Sequence, residues 1–197
     1  LMLGSVLFHV GVLIIFGGHF VGLLTPIEVF DAIGVSHGAK QVLAIIAGGI
    51  AGAMAIVGAL ILLHRRVFDP RIRATSSFGD TAILALLTAQ LVLGLSTIPL
   101  SSQHLDGSEM VKFMAWAQGI FTFQPGAAAH ISEVHWIFKA HLALGLTIFL
   151  VFPFTRLVHM LSAPIWYLNR RGWQLVRTRR DMADQKNRAR PSRGGRL

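Results

Sequence analysis

Long stretches without any charged side chain dominate the first two thirds of the chain. Three of them predict membrane-spanning helices, because each reaches the roughly 20 residues that a helix needs to cross the hydrocarbon core of a bilayer. They run from Met2 to Leu24, from Gln41 to Leu63 and from Thr81 to Leu100.

A fourth span is predicted from about Trp136 to about Leu161. Its uncharged centre, from Ala140 to Thr155, is only 16 residues long, but lysine and arginine at the margins of a span can extend their charged ends to the membrane surface. The segment from Phe113 to Ala129 is also uncharged. Because it contains glycine, glutamine and proline, it is interpreted as an interfacial half-helix.

The predicted fold class is all-α: a polytopic transmembrane helix bundle of four spans with antiparallel up-down topology. The 64–80 loop carries four arginines, and residues 156–197 hold eleven Lys/Arg against two acids. Because basic segments stay in the cytoplasm, this loop and the C-terminal tail are predicted to be cytoplasmic. A fifth span at residues 113–129 would put the basic tail outside.

Composition agrees with a membrane protein, since 53% of the residues are hydrophobic and only 14% are charged. The net charge of +9 would suggest nucleic acid, but residues 1–155 hold seven basic and seven acidic side chains. No nucleic-acid partner is therefore expected. The predicted domains are a transmembrane domain at 1–168 and a flexible cytoplasmic tail at 169–197, which either docks to a partner or anionic lipid or only anchors the topology.

Histidine is the candidate ligand for any redox group. The chain has no cysteine, which excludes disulfides, thiolate metal sites and covalent haem attachment. Four of the nine histidines lie in predicted spans, where an ionisable group is costly. A single such histidine is explained by a hydrogen bond to a neighbouring helix, whereas a set of four favours a functional site. They are His9, His19, His141 and His159.

The spacing of these histidines predicts two pairs. His141 and His159 are 18 residues apart, about five helical turns, and so share a face of the fourth span. Because the first and fourth spans run antiparallel, His9 is expected at the level of His159, and His19 at the level of His141. Two facing imidazoles suit a six-coordinate haem without an open position for oxygen, which indicates electron transfer.

The two spacings do not match in height. Ten residues between His9 and His19 rise about 15 Å, and eighteen residues rise about 27 Å. A kink at Pro153, which cannot donate its backbone hydrogen bond, is predicted to absorb part of the difference.

The chain resembles the cytochrome b (gamma) subunit of respiratory membrane-bound nitrate reductase. The resemblance runs from Leu7 to about Leu168 and is carried by the histidine spacings and by loop sequences. The matching segments are LFHVGVLIIFGGHFVGLLTP, RRVFDPRIRAT, TIPLSSQHLDGSEMVKFMAWAQ and HLALGLTIFLVFPFTRLVHMLSAPIWYL. The first helix of that family is absent from this sequence, and the arginine-rich tail departs from the family pattern.

The resemblance implies a five-helix bundle in the prokaryotic inner membrane, with two b haems between the first and last of the four spans. His19 and His141 would ligate the outer haem, and His9 and His159 the inner haem. Quinol would be oxidised near the outer haem, and electrons would pass to an iron–sulfur (beta) subunit and a molybdenum (alpha) subunit that reduces nitrate.

The resemblance also implies a quinol pocket lined by Gly18 and His19 and reached by Lys40. A lysine at a membrane boundary is otherwise explained as a lipid-surface anchor. Arg156 lies one turn from His159 and is predicted to pair with a haem propionate.

Two alternative functions remain open from sequence. The same pair of histidine ligands would serve a cytochrome b subunit of a formate dehydrogenase or hydrogenase. A transporter or proton channel could instead use the histidines as a proton relay.

Overall fold

A computed structural model of the chain describes residues 2–160, and all regular structure in this range is helical. The α-helices are α1 (Met2–Leu24), α2 (Ile27–Ala32), α3 (His37–Phe68), α4 (Pro70–Thr75), α5 (Phe78–Ser101), α6 (Ser108–Phe121) and α7 (Trp136–Val151). Short 3-10 segments cover Ala127–Ile131, Phe152–Phe154 and Arg156–Met160.

Within residues 2–160, four helical segments are long and apolar enough to cross a membrane. They are α1, α3, α5 and the segment Trp136–Phe154, which joins α7 to the following 3-10 turn. The prediction of an all-α bundle with four spans is confirmed. Consecutive spans pack side by side, α1 on α3, α3 on α5 and α5 on α7, which is the neighbour order of an up-down bundle.

Small residues allow α1 and α3 to pack closely. Ala51, Ala55 and Ala59 of α3 are almost fully buried. A Cβ added to Gly11 of α1 would lie 2.6 Å from the Ala51 carbonyl oxygen, and one added to Gly4 would lie 2.7 Å from a methyl carbon of Ile61. The two backbones can approach because these positions lack side chains, as is typical of membrane helices.

The prediction that the fourth span is helical to about Leu161 is wrong. Regular α-helix ends at Val151, and the chain continues as 3-10 turns through Phe152–Phe154 and Arg156–Met160. Pro153 has no backbone N–H and its ring would clash with the carbonyl one turn earlier. The proline therefore ends the helix instead of kinking it, and a continuous five-turn face does not connect His141 with His159.

The other boundaries differ by a few residues. Helix α3 begins at His37, where the Ser36 hydroxyl accepts a hydrogen bond from the Ala39 amide, so it includes Lys40. The predicted half-helix is α6, which begins earlier than expected and ends at Phe121. Residues up to Val158 form one compact unit. The predicted domain boundary at residue 168 lies outside the described residues.

Candidate functional site

Two of the four predicted histidine ligands face each other across the bundle. The imidazole rings of His19 on α1 and His141 on α7 have their centroids 6.2 Å apart, with an angle of 47° between the ring planes. Helices α1 and α7 are not in extensive contact, since α3 and α5 follow one another between them. The two rings therefore approach each other across a space that neither backbone fills.

Both histidines of α1 are oriented by their own helix. The Nδ1 atom of His19 is 2.8 Å from the carbonyl oxygen of Ile15, and that of His9 is 2.7 Å from the carbonyl oxygen of Ser5. In each case the acceptor lies one turn earlier. A ring that donates from Nδ1 keeps Nε2 as an acceptor, which is the form that binds metals.

His141 is oriented by the neighbouring helix α5. The side-chain amide nitrogen of Gln90 donates to the His141 carbonyl oxygen over 3.0 Å and lies 3.5 Å from its ring Nε2. A Cβ added to Gly94, one turn further along α5, would lie 3.1 Å from the His141 ring. Gln90 and Gly94 thus form the α5 surface against which the imidazole packs.

Open space adjoins His19 along α1. A Cβ added to Gly17, Gly18 or Gly22 would meet no atom within 4 Å. Gly18, predicted to line the quinol pocket, is therefore accessible on its side-chain face. Its neighbour His19 is exposed as well.

Lys40 lies at the same end of the bundle and is only 6% exposed. Its ammonium donates to the Gly22 carbonyl oxygen over 2.9 Å and lies 2.8 Å from the Met114 sulfur. The Phe30 ring of α2 covers it at 3.7 Å from the ring centroid. Because Gly22 is less than one turn beyond His19, the structure brings Lys40, Gly18 and His19 to one end of α1.

The contact with Gly22 also has a structural role. The last carbonyl groups of a helix have no partner within it and carry partial negative charge. The last turn of α1 has no basic residue of its own, and Lys40 satisfies one of these carbonyls. Gln118 of α6 satisfies a second, since its amide nitrogen donates to the Leu23 carbonyl oxygen over 3.1 Å.

At the opposite end of the bundle, Arg156 pairs with a buried carboxylate. Its Nε is 2.6 Å from Asp80 Oδ1, while the other carboxylate oxygen accepts from the Ser77 amide and caps α5. Arg66 of α3 donates to the Asp80 backbone carbonyl. The structure thus assigns Arg156 a protein partner, and its contact with a propionate stays a prediction.

The other two predicted ligands, His9 and His159, lie in different parts of the chain. His9 lies in α1 within the compact unit, whereas His159 follows its last residue, Val158. The 3-10 segment Arg156–Met160 contains His159. Their pairing remains a prediction from the sequence.

Sequence reasoning missed four residues of these sites: Gln90, Phe30, Met114 and Asp80. Gln90 had a visible signal, because an amide in the middle of an apolar span needs a partner. Asp80 had a weaker one, the Ser-x-x-Asp spacing from Ser77 that is typical of a helix start. Phe30 and Met114 are ordinary apolar residues, and only the fold shows that they contact Lys40.

The chain is similar to subunits of bacterial nitrate reductases. The family described as nitrate reductase gamma subunit matches residues 1–179. The chain is 51% identical to the respiratory nitrate reductase 1 gamma chain of Escherichia coli over 90% of its own length and 78% of that protein. It is 49% identical to the respiratory nitrate reductase 2 gamma chain of the same organism, with 91% and 79% covered. The nitrate reductase gamma chain of Bacillus subtilis is 40% identical, with 85% and 74% covered.

Proposed function

We propose, from the premise that this chain belongs to the nitrate reductase gamma subunit family, that it oxidises quinol and passes the electrons inward through two bis-histidine b haems. The family makes the chain a membrane subunit of an oxidoreductase complex. The quinol chemistry, the haem ligands and the electron acceptor are the proposal.

The facing pair of His19 and His141 carries this proposal. Imidazole nitrogen binds metals at about 2.0 Å, and the nitrogen lies about 1.1 Å from the centre of its ring. Two imidazoles that held one metal between them would therefore have their centroids about 6.3 Å apart. The observed separation of 6.2 Å supports a metal shared by the two rings. The ligand atom of His19 would be Nε2, because its Nδ1 already contacts the Ile15 carbonyl oxygen, and we assign Nε2 of His141 to the same role.

The donor set fits haem better than a bare metal ion. A bare metal ion is usually held by three or more histidine, cysteine or carboxylate side chains, and no such group occurs within the described residues. A haem needs only two ligands from the protein. When bound, haem would accept and release single electrons. Helices α1 and α7 are not in extensive contact, and open space adjoins Gly17 and Gly18. Both features are compatible with a flat macrocycle between the two helices.

Lys40 is the residue best placed to bind quinol. Its buried ammonium can donate to a quinol oxygen and stabilise negative charge as the hydroxyl loses its proton, an effect that low local dielectric strengthens. The Phe30 contact is the one that a quinol ring would replace, because a cation–π contact contributes only about 0.5–2 kcal/mol. The Gly22 carbonyl would keep the ammonium in place.

The remaining parts of the proposal concern direction and partners. In the topology predicted from charge, the Lys40 end faces outward and the Asp80 end faces the cytoplasm. His9 and His159 would hold the inner haem, and Arg156 would contact one of its propionates. An iron–sulfur subunit would accept the electrons, and a molybdenum subunit would reduce nitrate. Membership in the nitrate reductase family favours these partners over the formate dehydrogenase or hydrogenase type.

The test is a haem spectrum of the purified complex with single histidine variants. The parent should contain two b haems, and His19→Ala and His141→Ala should each remove the same one, because either change removes one of the two imidazoles that would hold it. Co-purification of iron–sulfur and molybdenum subunits should persist. Loss of different haems in the two variants, or no haem in the parent, would overturn the proposal.

A further inference from the structure

Gln90 of α5 contacts His141 of α7 and can influence the orientation and basicity of its imidazole ring. It lies near the middle of α5, and its side-chain amide nitrogen donates to the His141 backbone carbonyl over 3.0 Å. That bond determines the orientation of the amide, so Oε1 is the atom left to accept a further hydrogen bond. The same amide nitrogen is 3.5 Å from His141 Nε2.

Two buried polar atoms in this contact have no hydrogen-bond partner among residues 2–160, the part of the chain that the structure describes: Gln90 Oε1 and His141 Nδ1. A buried polar atom without a hydrogen bond destabilises the folded state. An imidazole whose Nε2 acts as an acceptor carries its proton on Nδ1. The unpaired atoms are therefore one acceptor and one donor, on residues that already touch.

The two histidines of α1 show what His141 lacks. His9 and His19 each place Nδ1 within 2.8 Å of the carbonyl oxygen one turn earlier. His141 has no such bond from Nδ1. An acceptor for Nδ1 would therefore come from another helix, and Gln90 of α5 is a polar side chain that contacts His141.

Two glycines leave room for the pair. A Cβ at Gly94 would lie 3.1 Å from the His141 ring, and a Cβ at Gly145 of α7 would lie 3.1 Å from the Gln90 amide nitrogen. Both distances are tighter than ordinary contacts. The glutamine and the imidazole thus occupy a tight space between α5 and α7, which the absence of side chains at the two glycines leaves open.

We propose that Gln90 is a positioning residue whose Oε1 accepts a hydrogen bond from His141 Nδ1–H, which keeps Nε2 unprotonated and available as the ligand of the haem that His141 would share with His19. This inference rests on the proposed function, in which His141 is a haem ligand. Partners of this kind orient a ligand histidine and raise its basicity. A more basic ligand favours the oxidised metal, so Gln90 would lower the reduction potential of the haem held by His19 and His141.

The test is a redox titration of both haems in Gln90→Leu and Gln90→Glu. Gln90→Leu removes the acceptor, and the potential of this haem should rise, with a shift of about tenfold in the ratio of oxidised to reduced haem, which is about 59 mV for one electron. Gln90→Glu loses the donor to the His141 carbonyl oxygen but keeps a carboxyl oxygen that accepts from Nδ1–H more strongly when it is ionised, and the potential should fall. The other haem should not move, and the low-spin ferric resonance of the affected haem should shift.

Thr88→Val is the matched control. Thr88 is buried on the same helix, and its hydroxyl donates to the Leu84 carbonyl of α5 rather than to α7. It should leave both potentials unchanged. If Gln90→Leu binds less haem, the potential of the bound fraction is still measurable. Two haems with unchanged potentials in both Gln90 variants, or shifts in the same direction, would overturn the role of Gln90 while leaving haem ligation intact. If His19→Ala and His141→Ala do not remove the same haem, the proposed function is overturned instead.

Discussion

The two halves of α1 use the same residue, glycine, for opposite purposes. In the first half, Gly4 and Gly11 are buried against α3, and an added Cβ would lie within 3 Å of its atoms. In the second half, Gly17, Gly18 and Gly22 face space in which an added Cβ meets nothing within 4 Å. The first half of the helix is part of the packed bundle, and the second half borders the candidate site.

This difference shows that glycines allow close packing in one half of the helix and leave open space beside His19 in the other. Close packing stabilises α1 through van der Waals contact, because lipid is as apolar as the helix surface. At the end near His19, an added Cβ at Gly17, Gly18 or Gly22 would make no such contact. The last carbonyls of α1 accept hydrogen bonds from Lys40 and Gln118 of other helices. A helix anchored at one half can therefore present an open surface at the other.

The largest expected effect separates the two haems along α1. His9→Ala and His159→Ala should each remove the same haem, and it should differ from the one lost in His19→Ala. The remaining haem should still be reduced by quinol but should not pass electrons onward. Spectra of the variants at matched protein concentration measure this. Should His9→Ala eliminate the haem that His141→Ala eliminates, the assignment of the pairs is wrong.

A smaller effect is expected from Lys40→Ala at the open end. Both haems should remain, while the quinol concentration for half-maximal haem reduction should rise about tenfold or more, since a hydrogen bond from a charged group contributes about 1.5–3 kcal/mol. Lys40→Arg should restore only part, because a planar fork presents its donors differently from a compact ammonium. Stopped-flow reduction by a quinol series gives the measurement.

Gln118→Ala is the control for Lys40→Ala. Both variants remove a hydrogen bond to the end of α1, but only one removes a charge beside the open space. Gln118→Ala should lower stability slightly and leave the quinol dependence unchanged. Equal effects of the two variants on quinol would make Lys40 a helix cap and nothing more.

The smallest effect compares the two kinds of glycine directly. Gly11→Ala should lower the free energy of unfolding by about 1–3 kcal/mol, because the new methyl overlaps the α3 backbone and forces a shift. Gly17→Ala should leave it unchanged or raise it by up to about 1 kcal/mol, the helix preference of alanine over glycine. Unfolding in detergent, followed by circular dichroism, gives both values. A comparable loss from Gly17→Ala would show that this half of α1 is packed as well.

Much of the fold was predictable because the bilayer requires an uncharged segment of about 20 residues to cross it as a helix. A run without charges has to span as a helix, so α1 begins and ends at the predicted residues, Met2 and Leu24. The end of α7 was not predicted, although Pro153 was visible. The sequence predicts that the proline weakens the helix at this position. Whether the helix bends or ends there depends on the packing around it.

For the site, the sequence alone predicted the ligand type, since a cysteine-free membrane chain with four histidines in its spans has few other candidates. It also predicted that His19 and His141 lie at the same height, because the two helices run antiparallel, and their rings lie 6.2 Å apart. Only the tertiary structure decided how each ring is held: His19 by its own backbone, one turn away, and His141 by Gln90 on another helix. The first contact is local, and helical periodicity contains it. The second depends on how α5 and α7 are rotated against each other, and that rotation is set by side-chain packing across helices, which no periodicity along the chain records.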